Sequence, residues 1–177
     1  GFVYTADECQ VMIDLICDPE VREWQARIRR EILLGKQRKH AVLTNAFGRT
    51  IDFTYDRLSE DLYRKGYAFK PQSDVGDVMN MWGFKPFSKF LRETGFGAIN
   101  VHSHDALLLS VYPEFAYQSA CFLRGSLERP IEIEGETMVF WVELKVGLNW
   151  GEMIEYKKFP TRKQFEEDVR ERLGVRW

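Results

Sequence analysis

An α+β fold, with an antiparallel sheet packed against helices, is predicted by three features of this 177-residue chain. Apolar residues recur at helical spacing through the first half. Short β-branched and aromatic runs bounded by glycine and proline mark strands. The order runs helices first, then strand, strand, helix, strand. A composition of 45% hydrophobic and 29% charged residues supplies enough apolar mass for a core and is unlike that of a disordered chain.

Val11, Met12, Leu15 and Ile16 predict a first helix that closes at or before Pro19. Val21, Trp24, Ile28, Ile32 and Leu33 predict a second from Pro19 to about Leu34, with Gly35 as its stop. His40 to Thr54 reads as a short hairpin around Asn45-Ala46-Phe47-Gly48, with Gly48 and Arg49 at its tip. A helix over Asp56 to Tyr67 is expected to break at Lys70-Pro71. Ser73 or Asp74 then caps a longer helix through Val75, Val78, Met79 and Trp82, bent at Gly83 and Pro86 and resuming to Arg92. Ala98 to Val101 and Leu107 to Tyr112 form a second hairpin whose polar tip is His102-Ser103-His104-Asp105. A helix follows from Phe115 to about Leu127. One or two strands lie in Ile131 to Leu144 with a turn at Gly135, and a terminal amphipathic helix covers Thr161 to Leu173. Three segments follow: 1–94, largely helical with one hairpin; 95–150, with the second hairpin, helix and strands; and 151–177, an extension.

No apolar run approaches the ~18 residues needed to span a bilayer, and the first residues lack the order of a signal peptide, so no membrane partner and a cytoplasmic location are expected. Cys9, Cys17 and Cys121 are odd in number and lack CxxC spacing, and they read as buried thiols rather than disulfides or zinc ligands. The chain opens at Gly1 without methionine, in what reads as interior sequence, suggesting a fragment or a split gene. The net charge is −2, yet Arg22, Arg27, Arg29, Arg30, Lys36, Arg38 and Lys39 stand against only Glu23 and Glu31 between Arg22 and His40. That segment is either a solvated helix face or a face for phosphates.

Asp105, between two apolar runs, is suited to hold a hard divalent cation from a rigid hairpin, although aspartate also favours ordinary turns. His102, His104 and Asp105 alternatively read as a three-donor metal cluster. That reading requires a distant carboxylate that no motif singles out, and the only other histidine, His40, lies in the first hairpin. No GxSxG, P-loop or GxGxxG motif is present.

The stretch Val101–Glu114 (VHSHDALLLSVYPE), followed by Val142–Met153 (VELKVGLNWGEM), resembles the carboxy-terminal palm of family A DNA polymerases, where a His-Asp pair sits at a hairpin tip and strands end near VGxNW. Pro71–Val78 (PQSDVGDV) is similar to the family's helix opening, Thr44–Arg49 (TNAFGR) to its T-x-x-GR hairpin, and Pro19–Ile28 (PEVREWQARI) to its PxVxxW-type helix. Gly1 matches the glycine that ends the family's nucleotide-binding helix. The resemblance covers about Gly1 to Met153.

It implies an antiparallel palm sheet and template-directed, Mg2+-dependent nucleotidyl transfer from a dNTP to a primer 3′-OH. Asp105 would be one of two catalytic metal-binding aspartates, and His104 would contact the primer end. Gln72, Arg64 and Arg49 would bind primer-template DNA. The family's DYSQIELR-like motif, with the other aspartate, and its Arg/Lys/Tyr nucleotide-binding helix are not in the sequence. An amino-terminal polymerase chain is therefore the expected partner, and this chain alone is expected to be inactive. Ala106 stands where many members carry glutamate. The alternatives are a non-catalytic palm module that binds DNA or a partner, and a metal phosphoesterase built on the two histidines. Divergence from the bacterial pattern suggests a phage source.

Overall fold

The computed structural model describes residues 5–9, 11 and 18–175. Residues 6–9 and 11 are helical, whereas Gly1, Met12, Leu15, Ile16 and Cys17 lie outside the described residues. The chain divides into two compact units, Gly1–Asp74 and Val75–Trp177. Both combine helices with antiparallel strand pairs, so the α+β class holds. Among the described residues, the strands form four separate two-stranded ladders. No described helix is long and apolar enough to cross a membrane.

In the first unit, helix α1 spans Pro19–Gln37. The Asp18 carboxylate accepts the Glu20 N–H at 2.9 Å, and Pro19 occupies the first turn, where its missing N–H costs nothing. Ile28 and Ile32 turn fully inward. The helix does not stop at Gly35. The His40 N–H donates to the Gly35 carbonyl at 2.8 Å and the Lys39 N–H to the Lys36 carbonyl at 3.1 Å, a Schellman closure with Lys39 at φ +55°. Gly35 serves a different purpose: a Cβ there would lie 2.6 Å from the Ala41 Cα and 2.7 Å from the His40 carbonyl oxygen, where the chain doubles back.

Strands β1 (Val42–Thr44) and β2 (Thr50–Asp52) pair in the register Leu43↔Ile51. So short a hairpin is marginal alone. Its stability comes from a core of Ile28, Ile32, Ala41, Leu43, Phe53, Leu62 and Tyr63, where each large buried side chain contributes about 1.5–3 kcal/mol.

Helix α2 runs unbroken over Glu60–Val78, through Pro71. The expected break at Lys70-Pro71 and the fresh cap at Ser73 or Asp74 are therefore corrected. Two observations account for the continuity. Pro71 is exposed, and beyond it Ser73 and Asp74 are held by the β1–β2 turn through the Asn45 amide and the Ala46 N–H. Upstream, Leu62 and Tyr63 hold the helix in the core, and Gly66 leaves room for Ile32, whose Cδ1 would be 2.7 Å from an added Cβ.

In the second unit the chain widens into a π-helical turn, Met79–Phe84, before α3 (Lys85–Thr94), which ends on Gly95 in the left-handed conformation. The predicted bend at Gly83 is this turn. Gly83 is buried, with Leu127 packed over it, and the Ser126 hydroxyl donates to the Trp82 carbonyl that the wide turn frees. Strands β3 (Gly97–Ser103) and β4 (Ala106–Val111) form the second hairpin. A single 3₁₀ turn, Pro113–Phe115, leads into α4 (Ala116–Leu127). Phe87, Phe90 and Phe122 stack between α3 and α4, with Phe90 and Phe122 ring centres 4.3 Å apart.

Strands β5 (Ile131–Ile133) and β6 (Glu136–Met138) are joined by Glu134 and Gly135, both at positive φ, as a two-residue turn of this kind requires. Strands β7 (Leu144–Gly147) and β8 (Met153–Tyr156) pack with α5 (Arg162–Leu173), capped by Thr161, around Ile154, Tyr156, Phe165 and Val169. Cys9 and Cys121 are exposed, which corrects the expectation of buried thiols: α4 turns Ser119 and Ala120 inward and leaves Cys121 outside.

Gly35→Ala should destabilise the first unit by about 1–3 kcal/mol, because the added methyl meets backbone rather than a movable side chain; denaturant titration measures it. Burial, and secondarily the Asp168 carboxylate, push the Tyr156 phenol from 10.0 up to about 12. The folded state thus favours the neutral phenol, and this contribution is complete below about pH 10 and lost as pH rises toward 12. Tyr156→Phe should stay within about 1 kcal/mol of the parent at pH 7, since the buried hydroxyl has no hydrogen-bond partner among the described residues. Thermal melts should show the variant losing less stability than the parent between pH 10 and 12.

Candidate nucleic-acid and metal site

The β3–β4 hairpin is closed by a two-residue connection. Ser103 pairs with Ala106, leaving His104 and Asp105 alone at the tip, with His104 in the left-handed region at φ +51°. A non-glycine residue held there is uncommon, and it sharpens the turn from which Asp105 projects. The expected tip of four residues is thus shortened: His102 and Ser103 belong to β3, where His102 pairs with Leu107. The ladder also carries a bulge. Ile99 pairs with Leu109 but Val101 with Leu108, so Asn100 is the extra residue, and its amide donates to the Ser110 hydroxyl at 2.7 Å.

The tip end of the ladder packs on the π-helical turn. The His102 ring stacks on Phe84 with centres 5.6 Å apart and planes 16° from parallel, and Leu107 lies beside Gly83. At the other end, Phe96 stacks on Phe115 at 3.7 Å. The tip is therefore held at its base by packing, while His104 and Asp105 are exposed and make no hydrogen bond or ion pair among the described residues.

Asp105 can offer a divalent cation one hard oxygen ligand. Among the described residues, no three His, Cys, Asp or Glu side chains gather as a metal site. His102, His104 and Asp105 do not gather as a three-donor cluster among the described residues, and the exposed His102 ring lies on Phe84.

The three candidate DNA contacts lie in the first unit. The Asn45 side-chain oxygen Oδ1 accepts the N–H groups of Phe47 at 3.0 Å and Arg49 at 2.8 Å, shaping the β1–β2 turn from within. The same turn docks on α2: the Asn45 amide donates to the Ser73 hydroxyl at 3.0 Å, and the Ala46 N–H to the Asp74 carboxylate at 3.0 Å. The turn that precedes Arg49 is thereby docked on Ser73 and Asp74 of α2. Arg64 lies on the exposed part of α2, eight residues upstream and so about 12 Å along the axis from Gln72. Gln72 and Arg64 carry no hydrogen bond or ion pair among the described residues.

The residues that organise this arrangement, Asn45 and Asp74, are both buried. Their only sequence signal was that of turn and cap formers. The basic segment divides on inspection. The Arg29 guanidinium pairs with Glu60 at 2.8 Å and lies over the Tyr63 ring at 4.2 Å, so its role is structural.

Comparison with protein-family models, curated proteins and solved structures returned no match.

Asn45→Ala should remove the turn's internal acceptor and leave two N–H groups unpaired, costing about 1–3 kcal/mol. Amide exchange should accelerate at Ala46, Phe47 and Arg49 relative to Leu43; uniform acceleration would instead indicate loss of the whole unit.

Proposed function

We propose that this chain is the carboxy-terminal part of a family A type DNA polymerase, which contributes one metal-binding aspartate, Asp105, and contacts to primer-template DNA. The observation that carries the reading is the exposed His104-Asp105 pair alone on a two-residue hairpin connection, on a base held by packing. A carboxylate that must meet a metal ion and a substrate phosphate together gains from such a mount, because positional error of about an ångström sacrifices much of the catalysis.

In this reading the Asp105 oxygens hold magnesium, and His104 meets the primer end. Arg49, Gln72 and Arg64 bind the duplex. The magnesium pair, when bound, stabilises charge on the attacking and leaving oxygens of the displacement. A second aspartate and the dNTP-binding side chains come from a preceding segment or a separate chain. A binding module without catalysis is separated from the polymerase reading by activity alone.

Mixing this chain with one bearing a DYSQIELR-like segment should give magnesium-dependent primer extension that depends on both chains. Asp105→Ala should lower its rate by at least about 10²–10³-fold, as expected for loss of a group that stabilises transition-state charge. Extension undiminished by that substitution would sink the proposal.

A further inference from the structure

Away from the hairpin tip, one corner of the first unit combines exposed cations with an exposed aromatic ring. The turn that closes α1 carries Arg38 and Lys39, and the connection from β2 to α2 carries Tyr55 and Arg57. These segments are tied together. Lys36 Nζ donates to the carbonyls of Thr54, at 3.1 Å, and Asp56, and the Ala41 N–H donates to the Thr54 hydroxyl at 2.9 Å. The Asp56 N–H donates to the Phe53 carbonyl at 3.2 Å, so the connection is a formed turn on both sides of Tyr55.

Tyr55 is 96% exposed and has no hydrogen bond or ring contact among the described residues. Folding thus leaves its apolar face in water, on a turn that a buried-side lysine holds in place. Arg38, Lys39 and Arg57 are likewise exposed and without ion pairs among those residues. The nearby carboxylates do not neutralise them. The exposed Asp52 carboxylate accepts the Thr54 N–H at 2.7 Å, so Asp52 and Asp56 stand beside three cations that have no ion pair among the described residues.

Lys39 supplies a second argument. It occupies the left-handed position of a Schellman closure at φ +55°, where glycine is the residue of lowest cost. The glycine of this turn stands instead at 35, where the returning chain leaves no room for a Cβ. A long cation in a backbone conformation that disfavours side chains is a stability cost retained at the centre of the cationic corner.

We infer that this corner, Tyr55 flanked by Arg38, Lys39 and Arg57, binds single-stranded nucleic acid, with a base stacked on the Tyr55 ring and the cations on adjacent phosphates. Exposed aromatic rings among basic side chains are what sequence-tolerant binding of single strands requires. A duplex would offer its phosphates but no free base face. A membrane would need a broader apolar surface than Tyr55 and the neighbouring exposed Leu58 provide. An acidic peptide would satisfy the cations but leave the ring without a role. The inference is independent of Asp105 and of metal.

The test is fluorescence anisotropy of the full chain with labelled oligothymidylate, without magnesium or a second chain, so failed primer extension leaves this binding unaffected and the reverse also holds. Tyr55→Ser should weaken binding about ten-fold, while Tyr55→Phe keeps it within about two-fold. Lys39→Gly should reduce the slope of log affinity against log salt by about 0.7 while leaving the melting temperature unchanged or higher. Equal binding by Tyr55→Ser and the parent overturns the inference. So does an unchanged salt slope in Lys39→Gly, or a preference for duplex DNA, a poly-glutamate peptide or mixed phosphatidylserine–phosphatidylcholine vesicles over the single strand.

Discussion

The first unit depends on α2 remaining a single helix through Pro71. A proline in a helix interior removes one backbone hydrogen bond and crowds the preceding turn, at a cost of about 3 kcal/mol. That cost is offset by what the helix carries. Leu62 and Tyr63 lie in the core with Ile28, Ile32 and Phe53, and Ser73 and Asp74 receive the β1–β2 turn through two hydrogen bonds of 3.0 Å. Were the chain to break at Pro71, the buried Asp74 would lose its place under Ala46, and the turn bearing Arg49 would lose its support. Helix continuity and turn position are therefore one constraint.

A comparable coupling governs the hairpin that carries His104 and Asp105. Two strands joined by two residues are weakly stable by themselves. This pair gains support next to its tip, where His102 lies on Phe84 and Leu107 beside Gly83, and at its open end, where Phe96 lies on Phe115. The π-helical turn at Met79–Phe84 belongs to the same arrangement: it places buried Gly83 beneath Leu127 and frees the Trp82 carbonyl for Ser126. The polar tip bears none of this load, so its side chains are free for a ligand.

Glycine and lysine exchange their usual places at the end of α1. Gly35 lies within the helix because the chain returns over it, and Lys39 takes the left-handed closing position. Local propensity alone would assign the glycine to the terminus. The tertiary demand for close approach at 35 explains the glycine's half of the exchange.

Much of the architecture was legible in the residues themselves. Periodic Ile28 and Ile32, the Asn45–Arg49 turn, the glycine at 135 and the terminal helix ending at Leu173 each specify a local structure through short-range sterics or hydrogen bonding, and each is found where the pattern put it. The place of Asp105 on a hairpin was equally readable, from its position between two apolar runs. What the sequence could not express were outcomes decided by distant partners. Pro71 stays in a helix because Leu62, Ser73 and Asp74 are held from outside it. His102 becomes a packing residue because Phe84 reaches it across the fold. Tyr55 and Lys39, sixteen positions apart, share a corner because Lys36 binds the carbonyls around Tyr55. Local chemistry determined the elements and their turns; long-range contacts decided which helix ended, which histidine was available and which charges met an aromatic ring.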